Sequence, residues 1–495
     1  MCCMAVLLTA CDDFFGSEDN PTSAYLSMSS KPVTIKVGDT FKREATSAST
    51  AVLEYSSSNT EVATVDKNGV VTANAEGEAT ITATATGYSS VTGKKIYQPA
   101  TVSYQLTVKH KPLTLEALSA GTILVSKPQP GMQYTKNGGA KKPVTTAAID
   151  VVKGDKVAFF GNGTSITSYF DVNDKTYTAI TGGTADVKVY GNIMSLVDEH
   201  HFDTATTLAV VAFANLFEGN THIIDASALE LPAKTLAESC YGAMFFHCTS
   251  LTAAPALPAT TLADGCYQEM FNSCTSLTAA PALPATTLAD ACYVEMFAGC
   301  TSLTAAPALP ATTLADQCYT QMFRDCISLT AAPVLPATTL ADACYQEMFN
   351  CCTSLTTAPA LPATTLADQC YCSMFAGCTS LTTAPEILPA TTLEDACYYA
   401  MFQNCTSLIA TPKLPATTLE YECYYMMFQD CHSLTKAYVK ANYDATKNCA
   451  TMFAECTNSD TFTFYSDYYN EWKDGDALAG GLQTKWQPAL YPTTE

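Results

Sequence analysis

Cys248–Ser273 reads CTSLTAAPALPATTLADGCYQEMFNS, and this pattern returns with a period of 26 from residue 240 to residue 456. Leu-Pro-Ala-Thr-Thr-Leu and Cys-Tyr-x-x-Met-Phe recur almost verbatim. Two cysteine columns mark the register. One runs Cys240, Cys266, Cys292, Cys318, Cys344, Cys370, Cys397, Cys423 and Cys449; the other begins at Cys248 and ends at Cys456. A one-residue insertion at Glu386-Ile387 and a last unit one residue short are the only slips. One such unit cannot bury its apolar side chains alone, so a fixed period of this length predicts stacked units with a continuous core.

Each unit folds on paper as a strand, a turn and a helix. Asp264 is placed to cap a helix, as are Asp290, Asp316, Asp342, Asp368 and Asp395 in later units. Cys266, Met270, Phe271 and Cys274 then fall at i, i+4, i+5 and i+8, one helical face. With Leu277 they define the expected core, repeated as Cys292, Met296, Phe297 and Cys300, and as Cys318, Met322, Phe323 and Cys326. Pro255 and Pro258 cannot donate to a β-ladder, so the strand of each unit must be short.

The repeated polar columns admit several chemistries. In a helix the two cysteines of one unit stand about 12 Å apart, which excludes a disulfide within the unit. Like cysteines of adjacent units should lie about 5 Å apart, within disulfide range, although nine per column cannot all pair. Buried thiols acting as small hydrophobes are the alternative. Zinc would need closer Cys/His spacing than the repeats supply. The aspartate column reads as separate caps, with stacked calcium ligands as the competing reading. Tyr267, Tyr293, Tyr319, Tyr345 and Tyr371 form a further column, either a ligand face that stacks on sugar rings or an edge of the core.

Outward from the repeats, residues 206–236 give a degenerate first unit, with Ala212 and Asn220 where cysteines would stand. Residues 457–495, with Trp472 and Trp486, are suited to cap the far end. Residues 112–205 are β-patterned and read as a small β-rich domain packed on the first repeats. Residues 31–111 alternate in short strands, with turns at Gly38-Asp39 and Asn68-Gly69, as in a β-sandwich. Within them Glu54–Thr86, EYSSSNTEVATVDKNGVVTANAEGEATITATAT, closely resembles the bacterial immunoglobulin-like domain of group 2. That resemblance implies a rigid spacer or adhesive module without catalysis. The 26-residue units of 206–456 resemble the BspA-like leucine-rich repeats of bacterial surface proteins. They imply a right-handed α/β solenoid used for adhesion or ligand capture.

At the N-terminus, Leu8-Thr9-Ala10-Cys11 follows a short apolar run and matches a lipobox, in which Cys11 is lipidated. Residues 12–30 then form a polar linker whose acidic start resembles the export tag of Bacteroidota-type surface lipoproteins. The expectation is a protein on the outer membrane surface, held by its lipid alone.

A net charge of −22, from 47 acidic and 25 basic residues, repels phosphate backbones and makes nucleic acid a poor partner. The six histidines show no metal-ligand spacing. No GxSxG, HExxH, P-loop or dinucleotide-binding pattern occurs, so no catalytic residue, cofactor or metal is expected. Three functions remain: an adhesin for a host or neighbouring-cell surface protein, an accessory lipoprotein capturing polysaccharide for uptake, and a passive structural coat.

Overall fold

The computed structural model describes residues 22–47, 50–95, 97–161, 177–449, 451–456, 462–474 and 487–492. The chain is β-rich with almost no helix, and divides into two units, Met1–Lys111 and Pro112–Glu495. Cys11 and Trp486 lie outside the described residues.

In the first unit a four-stranded sheet runs in the order Val33–Lys36, Ala100–Lys109, Gly77–Ser89, Ala51–Ser57. A three-stranded sheet of Thr40–Lys42, Val70–Ala73 and Ala63–Val65, and a parallel pair of Thr22–Ser23 with Tyr97–Gln98, complete its described strands. Strict alternation builds the core between them: Ala79, Ile81, Leu106, Val108 and Val71 are buried while their neighbours are not. The Asp66–Gly69 turn is held by Asp66 Oδ1, which accepts from the backbone N–H groups of Asn68 and Val70, each at 2.8 Å. Gly69 there has φ +75°, and a Cβ would stand 2.7 Å from the Arg43 carbonyl.

In the second unit residues 112–205 do not form a separate core. A six-stranded sheet ends with Val187–Asn192 pairing in parallel with Ile223–Glu230, which is the first strand of the repeat region. One hydrophobic cluster runs from Leu113 through every repeat to Trp472. Asn220 reinforces the junction: its Nδ2 donates to the Ile180 carbonyl at 2.7 Å. At the other end Ala410–Leu414, Lys436–Val439, Thr463–Tyr465 and Gln487–Ala489 form a parallel sheet. Trp472 is buried below it and donates to the Ala441 carbonyl at 2.8 Å.

The repeats themselves contain no α-helix among the described residues, only a three-residue 3-10 turn at Ala445–Lys447, which corrects the helical unit expected from the sequence. The segment from Cys266 to Cys274 is a run of tight turns. Gly265, Glu269 and Ser273 have φ of +59°, +55° and +59°, and the same positions of the other units are equally left-handed. A left-handed residue at every fourth position cannot belong to an α-helix. Backbone hydrogen bonding alternates instead. Gln268 and Met270 donate to the carbonyls three residues back, Gly265 and Tyr267, at 3.1 and 3.2 Å. Tyr267 and Phe271 donate forward to Cys292 and Met296 of the next unit, at 3.0 and 2.9 Å. Half of the amides thus close turns and half tie neighbouring units, which accounts for the backbone without a helix or a long strand. Between the strands Ile223–Glu230 and Ala410–Leu414, the Pro-rich half of each unit contributes only isolated parallel bridges, such as Thr287 with Thr313 and Thr339 with Thr365.

Candidate functional site

The four-residue turns sort side chains into two inward and two outward positions. Cys266, Tyr267, Met270, Phe271 and Cys274 point inward and are buried, as are Leu277 and their counterparts Cys292, Met296, Phe297, Cys300, Cys318, Met322, Phe323 and Cys326. Aromatic rings stack along two ladders. Tyr267, Tyr293, Tyr319 and Tyr345 follow one another at 5.7–5.9 Å and nearly parallel. The Phe271, Phe297, Phe323 and Phe349 rings do so at 5.6–5.7 Å. Each such pair contributes about 0.5–1.5 kcal/mol beyond simple burial. Tyr267, Tyr293, Tyr319, Tyr345 and Tyr371 are at most 2% exposed, so the tyrosine column is core and offers no face to a ligand.

The cysteine columns differ from one another. In the Cys248 column each thiol donates to a phenylalanine carbonyl of the preceding unit: Cys274 to Phe245, Cys300 to Phe271 and Cys326 to Phe297, all at 3.1 Å. That bond requires an S–H, and the eighteen column cysteines are buried free thiols. Burial pushes the thiols of Cys240, Cys318 and Cys370 up to about 12. Cys351 and Cys372, outside both columns, are half-buried.

The aspartates also change role. With no helix to cap, Asp290 Oδ1 accepts from the backbone N–H of Asp316 in the next unit at 3.1 Å. Asp316, Asp342 and Asp368 continue the chain to Asp342, Asp368 and Asp395, and Asp395 ends it on Tyr421 N. They form a side-chain-to-backbone ladder between units. Asp264 stands at the same position one unit earlier, exposed and likewise on no helix. Among the described residues no group of three His, Cys, Asp or Glu is placed to hold a metal ion.

Variation between units falls on the outward positions. After each core tyrosine stand Gly242, Gln268, Val294, Thr320, Gln346, Cys372, Tyr399 and Tyr425 in turn. After each core phenylalanine stand Phe246, Asn272, Ala298, Arg324, Asn350, Ala376, Gln403 and Gln429. These columns line one face of the repeat stack, beside an interior that hardly changes. Sequence reasoning named the tyrosine beside them; the signal it passed over was this unit-to-unit variation.

The N-terminal end of the face holds a cavity of about 380 Å³, lined by outward residues of three successive units, with Tyr177 as one wall. Gly242 and Gly265 leave its floor without side chains, and Phe246 is half-buried against it. Glu218 Oε2 accepts from Tyr177 Oη and from Asn215 Nδ2, the latter at 3.0 Å. Burial, and then the carboxylates of Glu295 and Glu218, hold the Glu269 carboxyl above its usual range. At the far end of the face the half-buried rings of Tyr399 and Tyr425 stack at 5.2 Å.

The other unit has its own signature. Residues 26–95 match the bacterial Ig-like domain (group 2). The match covers the alternating strands from Val33 to Ser89 and the Asp66–Gly69 hairpin, and stops short of Ala100–Lys109. None of the curated proteins compared matches the chain. No helix among the described residues is long and apolar enough to cross a membrane.

Proposed function

We propose that this is a cell-surface lipoprotein, anchored through Cys11 on the outer membrane, that binds a surface protein of a host or neighbouring cell. On this reading the repeat stack is a solenoid of the BspA-like leucine-rich-repeat kind, and the bacterial Ig-like domain is its spacer. The observation that carries the proposal is the outward face, whose residues differ from unit to unit while the core columns hardly change. A scaffold needs only the core; residues varied on one face of an otherwise uniform scaffold suit recognition. The acidic residues there, among them Glu269, Glu295 and Glu347, favour a basic partner surface. The test is binding of the soluble full chain to immobilised matrix and to intact cells. Saturable binding should be lost on changing Gln346, Glu347 and Asn350 together, and kept on changing Thr338 and Thr339 in the Pro-rich loops. Absence of saturable binding, or equal loss from both sets, defeats the proposal.

A polysaccharide ligand is the second reading, and the Tyr399–Tyr425 pair is what favours it. Two half-buried stacked rings offer a platform for a sugar ring. A glycan array that stays silent, or one whose signal survives Tyr399→Ala, removes it.

A further inference from the structure

We propose that the cavity beside Tyr177 is a subsite for a guanidinium or ammonium group, an Arg or Lys side chain exposed on the partner polypeptide. The inference rests on the protein-binding reading above and gives it a chemical anchor.

Four observations converge there. First, the cavity is a gap in an otherwise filled column: where Gly242 stands, later units carry Gln268, Val294, Thr320 and Gln346. A Cβ on Gly242 would meet nothing closer than 3.4 Å, so the fold does not require glycine at that position. Second, the carboxylates in and beside the cavity have no basic partner among the described residues. None of Glu218, Glu269 or Glu295 is ion-paired with a Lys, Arg or His among the described residues, and the lining holds no basic side chain. A carboxylate in partial burial seeks a cation. Third, among the described residues both hydrogen bonds to Glu218 fall on Oε2, which fixes the carboxylate and leaves Oε1 toward a ligand. Fourth, Phe246 and Tyr177 supply aromatic walls, and an aromatic face attracts a desolvated cation within about 6 Å of its centroid. A neutral sugar would use the rings but leave the carboxylates uncompensated, so the cation accounts for more of the site.

The probes are N-acetyl-arginine methylamide, its citrulline counterpart of matched shape without charge, and lactose. Ligand-observed NMR on the full chain reads binding. The arginine probe should saturate and the citrulline probe should not. Glu269→Gln should weaken the arginine probe by at least about tenfold. Gly242→Gln, which installs a side chain the same column already carries at Gln268 and Gln346, should abolish binding while leaving the melting temperature unchanged. Equal binding of the citrulline probe, survival in both variants, or displacement by lactose overturns the proposal. Failure of the arginine probe while the full chain still binds cells saturably would remove this subsite and leave the wider function standing.

Discussion

Tyr241 opens the tyrosine ladder. Its ring stacks between Phe213 and Tyr267, but its hydroxyl is buried and finds no hydrogen-bond partner among the described residues. An unsatisfied buried hydroxyl costs about 1–3 kcal/mol, so Tyr241→Phe should stabilise the fold, read as a higher urea midpoint. A lower midpoint would show that the hydroxyl is satisfied after all. The cysteines allow a sharper comparison, because chemically identical residues sit in two environments. Cys300 donates to the Phe271 carbonyl, whereas Cys318 makes no such bond to a carbonyl among the described residues. Serine at 300 can keep a donor where the thiol had one, while alanine loses the bond and opens a void. Serine at 318 puts a hydroxyl into an apolar layer at a cost of about 1–3 kcal/mol, and alanine there leaves only the void. Serine should therefore be the milder change at 300 and the harsher one at 318. The same order at both sites in urea unfolding would show that the thiol–carbonyl ladder contributes nothing measurable.

The repeat turn is the element whose identity was hardest to read. Its period, its core columns and its stacking were all legible in Cys-Tyr-x-x-Met-Phe-x-x-Cys, because burial follows the pattern whatever the backbone does. The backbone was not. Nine residues with apolar pairs at i, i+4 and i+8 fit a helix loosely, yet four residues of helix turn through about 400° and drift about 40° each step. The pairs here slip to a spacing of three only at Cys449 and Met452 in the last unit, and everywhere else they suit a strict four-residue turn. What sequence propensity opposed was the left-handed conformation at Glu295, Gln321 and Glu347, a strain of roughly 1–2 kcal/mol for a residue with a Cβ. Hydrogen bonds to the adjacent unit outweigh it, and those are invisible in one unit read alone. The ligand face moved for the same reason: with a four-residue turn the tyrosine turns inward and its successor outward. A test follows at Ala291, where φ is +51°. Ala→Gly normally destabilises an ordered chain by about 0.5–1 kcal/mol. At Ala291 it releases the left-handed strain and should leave the protein equally or more stable. The same change at buried Ala285, which is not left-handed, should lower the melting temperature.

At the scale of the whole repeat stack, the thiols decide how stability responds to pH. The unfolded chain releases thiol protons near pH 9. In the native state burial raises the thiols above that, to about 12 at Cys240, Cys318 and Cys370. Below pH 9 both states hold these protons and the stability is fully present. Between about 9 and 12 the unfolded state binds fewer protons than the native one, so stability falls as pH rises. Each group that keeps its proton only when folded contributes a slope of about 1.4 kcal/mol per pH unit. With sixteen such residues in register outside the Cys423–Cys449 pair, even partial participation outweighs any single contact in the fold. The Cys423–Cys449 pair, its sulfurs 3.6 Å apart, behaves differently: the S–H of Cys423 eases loss of the first proton from Cys449, and that same hydrogen bond, then burial and the resulting charge, oppose loss of the second. Its early step is one proton among many and does not reverse the trend. The buried tyrosines add to it only above pH 10. The expected result is a melting temperature that is level up to pH 9 and then drops steeply, with reductant making no difference at any pH. Columns joined by disulfides would carry no titrating protons. Stability would then hold until the tyrosines respond, and reductant would lower it even at neutral pH. Calorimetry from pH 7 to 11, with and without reductant, separates the two, and a flat profile through pH 9–10 would overturn the thiol assignment.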